Sequence, residues 1–185
     1  MSSLAASANT AESKTDLGEG RTVSLHAQLH YARDSQTFYM QYRLRNDSPD
    51  TAIAVFDRGV YGDWAGAAYA PGPVGKPRVS IEGDAATLTH SAAPATEGDM
   101  RTTPLAIRVG PGETLNDAFI HVGFDGASLK RVRWCVAVAP FDDKRFRSPQ
   151  ATSRGTIWIA GSDAVAGQTL LCTPWYDIEN GRFEG

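Results

Sequence analysis

His26 and His30 are the first residues whose spacing could do chemistry, because two imidazoles at i and i+4 on a helix make a zinc-binding pair. They sit instead in a segment where Val23, Leu25, Ala27 and Leu29 alternate with Ser24, His26, Gln28 and His30, the period of a half-buried strand. At about 3.3 Å per residue their backbones stand about 13 Å apart, too far to share one ion without a partner from another strand. Both read as solvated surface histidines. His90 and His121 have no Cys, His or carboxylate at ligand spacing and read as half-buried or surface residues. No metal and no cofactor is assigned.

Nucleophilic and phosphate chemistry lack their motifs. There is no Gly-x-Ser-x-Gly elbow, neither cysteine is beside a histidine, and no glycine spacing matches a phosphate loop. Asp142 and Asp143 are adjacent, with Lys144, Arg145 and Arg147 close by to neutralise them, so they read as a solvated loop rather than a carboxylate pair. No catalytic residue is assigned. The basic run Lys130, Arg131, Arg133, Lys144, Arg145, Arg147 and Arg154 resembles an anion-binding face. Arg131 and Arg133 nevertheless alternate with Val132 and Trp134, as the solvent side of a strand does.

The remaining candidate lies in Asp57–Pro77, a glycine- and proline-rich stretch carrying Tyr61, Trp64 and Tyr69. Its composition suits neither a long helix nor a central strand, and it is longer than a compact domain needs for a connection. The three aromatics are the assigned ligand-binding residues, suited to stacking on a sugar, a peptide or another flat ligand. The competing reading folds them back to plug one end of the fold.

Strand candidates position these residues. The first pairs as a hairpin with Phe38–Arg45, where Phe38, Met40, Tyr42 and Leu44 share a face, and Ile53–Phe56 begins a third strand. Later candidates are Arg78–Ile81, Ala86–His90, Leu105–Val109, Ala118–Phe124 with Ile120, Val122 and Phe124 aligned inward, Lys130–Ala139, Thr156–Ala160 and Gln168–Cys172. No segment keeps 3.6-residue spacing for the length of an ordinary helix. The expectation is an all-β antiparallel sandwich of nine or ten strands with one long loop, as a single domain over residues 21–185. Residues 1–20, without either period, are expected to be a flexible tail, and 174–185 a C-terminal tail.

Composition narrows the functional classes. A chain of 185 residues, 42% hydrophobic and 21% charged, can bury a core, and a formal net charge of -3 provides no global field for nucleic acid. No apolar run approaches the roughly 20 residues of a membrane-spanning helix. The N-terminal segment holds no intact export signal, although Leu4-Ala5-Ala6-Ser7-Ala8 has the small-residue character of a stretch before a signal cleavage site. Cys135 and Cys172 are an even pair, compatible with one disulfide or with two buried thiols. A disulfide favours a periplasmic or secreted protein, and free thiols favour the cytoplasm.

The turns Asn46-Asp47-Ser48 and Val109-Gly110-Pro111-Gly112-Glu113 resemble turns common in bacterial immunoglobulin-like domains, which implies a fold type without a function. The reading that results is a non-enzymatic binding or interaction module working through loops at one end of an immunoglobulin-like sandwich. Its partner is a protein, peptide or glycan of unknown identity. Two alternatives stand beside it: a hydrolase with residues drawn from separate strands, and a structural subunit that pairs through an edge strand.

Overall fold

The computed structural model describes residues 9–61, 70–93, 104–124 and 128–184. In chain order its strands are β1 (Thr10–Asp16), β2 (Thr22–Ala32), β3 (Thr37–Asn46), β4 (Ile53–Val55), β5 (Arg58–Tyr61), β6 (Ala70–Val74), β7 (Arg78–Glu82) and β8 (Ala85–His90). They continue as β9 (Leu105–Val109), β10 (Thr114–Val122), β11 (Arg131–Pro140), β12 (Phe146–Thr152) and β13 (Gly155–Ala160). A short helix α1 (Ser162–Ala166) precedes β14 (Thr169–Cys172), β15 (Tyr176–Asp177) and β16 (Arg182–Phe183). The chain is mostly β, as the alternation predicts, with its sheets packed together.

The first sheet has the order β1-β2-β3-β10, antiparallel throughout. Its inward rows are the predicted ones on β2 and β3: Val23, Leu25, Ala27 and Leu29, then Phe38, Met40, Tyr42 and Leu44, all buried. The second sheet is organised about β11, which runs parallel to β8 over Arg131–Val136 and antiparallel to β4, β14 and β15. The parallel pair corrects the expectation of a purely antiparallel fold; β9 and β10 intervene in the chain between β8 and β11, so no tight hairpin dictates an antiparallel return.

Between the sheets lies a continuous apolar core in which Leu29, Phe38 and Leu44 meet Leu88, Ile107, Val132, Trp134 and Val136. Burial of each such side chain contributes about 1.5–3 kcal/mol. Alternation along β11 sends Ala137 and Ala139 to its other face, where Phe56, Phe146 and Val165 of α1 form a second cluster.

Sixteen strands form among the described residues where nine or ten were expected; the excess comes from short strands and from segments such as β12 that carry no clean apolar period, and four further departures bear on position and phase. Thr10–Asp16, inside the predicted tail, forms β1; Ala11 is its one buried residue, so the backbone ladder to β2 places it and no apolar period betrays it. Asp57–Pro77 contains a two-stranded ribbon, β5 with β6. The predicted C-terminal tail turns as the β15–β16 hairpin, where Asp177 Oδ1 accepts from the backbone N–H groups of Glu179 and Asn180. On β10 the expected phase is off by one residue: Leu115 and Phe119 are buried, while Ile120 and Val122 are 59% and 69% exposed. Gly123, with φ of 76°, ends the strand, so Phe124 reaches the core from beyond it rather than in phase with Ile120.

The two turns singled out in the sequence meet through Asn46. Its buried amide donates to the carbonyls of Thr51, Val109 and Gly110 at 2.8, 3.2 and 3.0 Å, and its Oδ1 accepts from Ser48 N–H at 3.1 Å. One side chain thereby ties the end of β3 to the start of β4 and the end of β9.

Candidate functional site

Because strand side chains alternate, burying one row of each strand in the first sheet turns the other to solvent. Register then sorts the outer face into cross-strand rows: Thr10, Gln28, Gln41 and Ala118 in one, and Glu12, His26, Arg43 and Asn116 in the next. Neighbouring side chains in such rows are close enough to interact. His26 Nδ1 lies 3.1 Å from Glu12 Oε1, and Arg43 Nε donates to Asn116 Oδ1 at 3.2 Å. A groove of about 580 Å³ follows these rows, lined by Thr10, His26, Gln28, Gln41, Arg43 and Asn116, with Asp117 and Arg154 also in its wall.

The next row on the same face is apolar. Tyr39 stands opposite Ile120 on β10, with Val122 two residues further along, and the His30 ring lies 6.0 Å from that of Tyr39. Tyr39 is 41% exposed. The outer face thus runs from amides and a guanidinium to an exposed apolar strip.

Behind the groove is a buried chain of charge. Asp117 shares the inward phase of Leu115 and Phe119 and its side chain is only 1% exposed, with Oδ2 accepting from Arg58 Nη2 at 2.7 Å and Oδ1 taken by Arg154 Nη1. Arg58, at the start of β5, also stands with its Nε 3.0 Å from Asp57 Oδ1, close in charge but not aligned as a hydrogen bond. The Tyr42 hydroxyl donates to Asp57 Oδ2 at 2.5 Å. Burial, then the Asp57 carboxylate, pushes the Tyr42 hydroxyl well above its ordinary range. Burial likewise raises Asp57 against the lowering pull of Arg58. Asp117 goes the other way: burial opposes its charge, but hydrogen bonds from Arg58, the Ala118 backbone and Arg154 outweigh it and hold the carboxyl low.

His90 is buried, not half-buried or on the surface. Trp134 Nε1 donates to its Nδ1 at 2.9 Å, and its Nε2 donates to the Gly75 carbonyl at 2.8 Å. Burial, and more weakly Arg58, lower it to about 4 despite the Gly75 bond. His26 and His30 are exposed, and His121 is half-buried beside Phe124. Among the described residues no group of three or more His, Cys, Asp or Glu is placed to hold a metal ion.

Of the aromatics assigned to ligand binding, Tyr61 ends β5, and Trp64 and Tyr69 lie outside the described residues. The groove residues Gln28, Gln41, Arg43 and Asn116 carry no sequence motif. Alternation marks most of them as solvent-facing, but only strand order and the true phase of β10 assemble them. On the outer face of the second sheet, Arg131 and Arg133 stack on Trp175 at 4.9 and 4.5 Å from its ring centre. Cys135 and Cys172 are opposite one another on β11 and β14, with sulfurs 2.01 Å apart, at disulfide distance. No helix among the described residues is long and apolar enough to cross a membrane. Comparison with protein-family models, with curated proteins and with solved structures finds no match to this chain.

Proposed function

We propose that the protein is a non-enzymatic binding module that takes a glycan in the groove across its first sheet. The observation that carries this reading is the continuity of the groove's amide rows with the exposed strip Tyr39, Ile120 and Val122. A sugar has the same two-sided chemistry. Each hydroxyl is both donor and acceptor, as are the amides of Gln28, Gln41 and Asn116, and the C–H face of a pyranose packs on an aromatic or aliphatic surface. Large apolar side chains exposed together on a sheet are a mark of contact with something else.

Three further proposals accompany it. The packed sheets are taken as immunoglobulin-like in kind, which the Asn46 turn cluster supports. The bonded pair Cys135–Cys172 sits in the same sheet on adjacent strands, so it is not the inter-sheet staple of antibody domains. An oxidising compartment, periplasmic or extracellular, suits that pair. A second form of the module uses Tyr61, Trp64 and Tyr69 as ligand contacts; it is favoured by Asp117, which lines the groove and also holds Arg58 at the root of that segment.

The test is binding of the purified protein to an immobilised panel of neutral and acidic oligosaccharides and of peptides. Gln41→Ala is expected to weaken every positive interaction about tenfold with an unchanged melting temperature. Retention by peptides alone, or by no member of the panel, overturns the glycan reading. A Trp64→Ala variant that loses binding while Gln41→Ala keeps it moves the contact to the loop form.

A further inference from the structure

We infer that the groove selects acidic oligosaccharides, with Arg43 and Arg154 receiving the carboxylates of uronic acid units; this rests on the glycan reading above and deepens it. Charge inside the groove is not balanced toward solvent. Asp117 is its one carboxylate, and both oxygens are committed, Oδ2 to Arg58 and Oδ1 to Arg154, with the side chain 1% exposed. Arg154, by contrast, is 55% exposed. Its guanidinium has five N–H groups, of which the Asp117 contact engages Nη1, leaving others toward the groove it lines.

Arg43 adds a second positive group on the same wall. Its Nε is held by Asn116, which fixes the plane of the guanidinium without neutralising it. Among the described residues no carboxylate lies within 4.0 Å of Arg43. Nearby Arg45 is paired with Asp47, and Glu12, which contacts His26 at 3.1 Å on the far side of that histidine from Arg43, is not among the residues lining the groove. Two guanidiniums in one groove lining, whose one carboxylate is already committed, present the forked donors that match planar carboxylates. The amide row beside them supplies hydroxyl partners along the same ligand.

The inference predicts a preference that follows the carboxylate and not the sugar skeleton. Uronate oligosaccharides and their carboxyl-reduced counterparts, which keep the ring and lose the charge, are titrated into the protein by calorimetry at low and high salt. The acidic form is expected to bind at least about tenfold more tightly, with the advantage shrinking in high salt. Arg43→Gln is expected to remove most of that advantage, lowering affinity for the acidic form about tenfold more than for the reduced sugar, and Arg43→Lys to restore part of it. Equal affinity for the acidic and reduced forms overturns the acidic preference and leaves the glycan module standing. Equal loss of both in Arg43→Gln, with the fold intact by circular dichroism, overturns the role of Arg43. Failure of every acidic and neutral oligosaccharide to bind overturns the glycan reading itself.

Discussion

The indole N–H of Trp134 donates to Nδ1 of His90 at 2.9 Å, and that one bond sets the state of the histidine. With Nδ1 an acceptor, the ring proton sits on Nε2, where it is donated to the Gly75 carbonyl at 2.8 Å. Protonating Nδ1 would set two donors against each other in the core, beside the Phe119 ring whose centre lies 4.8 Å away.

Acid should therefore weaken the fold through His90. Its folded value of about 4 lies below the unfolded value of about 6.5, so the unfolded chain binds the proton first. The neutral ring's contribution is complete above about pH 6.5 and is lost as pH falls toward 4, a change of about 3 kcal/mol across the window. Urea unfolding at pH 7 and pH 4.5 checks this against His90→Gln. The stability advantage of the native chain over the variant is expected to shrink at the lower pH, and an advantage independent of pH would refute the assignment.

Arg58 is the hinge of the buried charge chain, since Asp57 and Asp117 both depend on it. Replacing it with methionine keeps much of the apolar stem but takes the buried cation from both carboxylates, leaving Asp57 with the Tyr42 hydroxyl and Asp117 with Arg154 and the Ala118 amide. Breaking a buried pair in this way costs about 3–5 kcal/mol. Chemical denaturation of Arg58→Met is expected to show a loss of that size at pH 7, and a smaller one in Arg58→Met/Asp117→Asn, where one of the stranded charges is removed. A double variant no better than the single would show that the two carboxylates do not share Arg58.

Little of that chain was legible in the sequence, and the reason is one of phase. The β2–β3 hairpin reads directly, because Val23 to Leu29 and Phe38 to Leu44 alternate without a competitor. On β10 two phases compete: Leu115, Asp117, Phe119 and His121 against Asn116, Ala118, Ile120 and Val122. The row ending in Ile120 and Val122 has more of the character of a core face, because the competing row contains a charge. Only a cation from elsewhere in the chain makes the Asp117 phase tolerable, and Arg58 lies 59 residues away. The groove was hidden by the same slip, since Asn116 reaches the outer face only when Asp117 faces in. β1 and the β15–β16 hairpin escape notice for another reason: backbone ladders and a side-chain turn at Asp177 hold them, and neither leaves an apolar period.

The Cys135–Cys172 pair separates compartment from fold. The residues are 37 apart in sequence, and closing a loop of that length restricts the unfolded chain by about 4 kcal/mol in the chain-entropy model. Denaturant unfolding with and without reductant is expected to differ by about 2–4 kcal/mol, and thiol titration of the denatured, unreduced protein is expected to find none free. Two free thiols in protein purified under non-reducing conditions would contradict the bond.

The register of β10 gives the most direct test of the structure against its own sequence. Phe119 is buried against Trp134, with ring centres 5.4 Å apart, and against His90. Phe119→Ala should cost about 3–5 kcal/mol through lost transfer energy and the cavity left behind. Ile120→Thr and Val122→Thr, at exposed positions on a strand, should each change stability by no more than about 0.5 kcal/mol. The alternative phase, with Ile120 and Val122 inside, reverses this order. Melting curves of the three variants decide between them. If Ile120→Thr and Val122→Thr are the neutral changes, the same proteins can be taken to the oligosaccharide panel, where losing the apolar strip should weaken binding without weakening the fold.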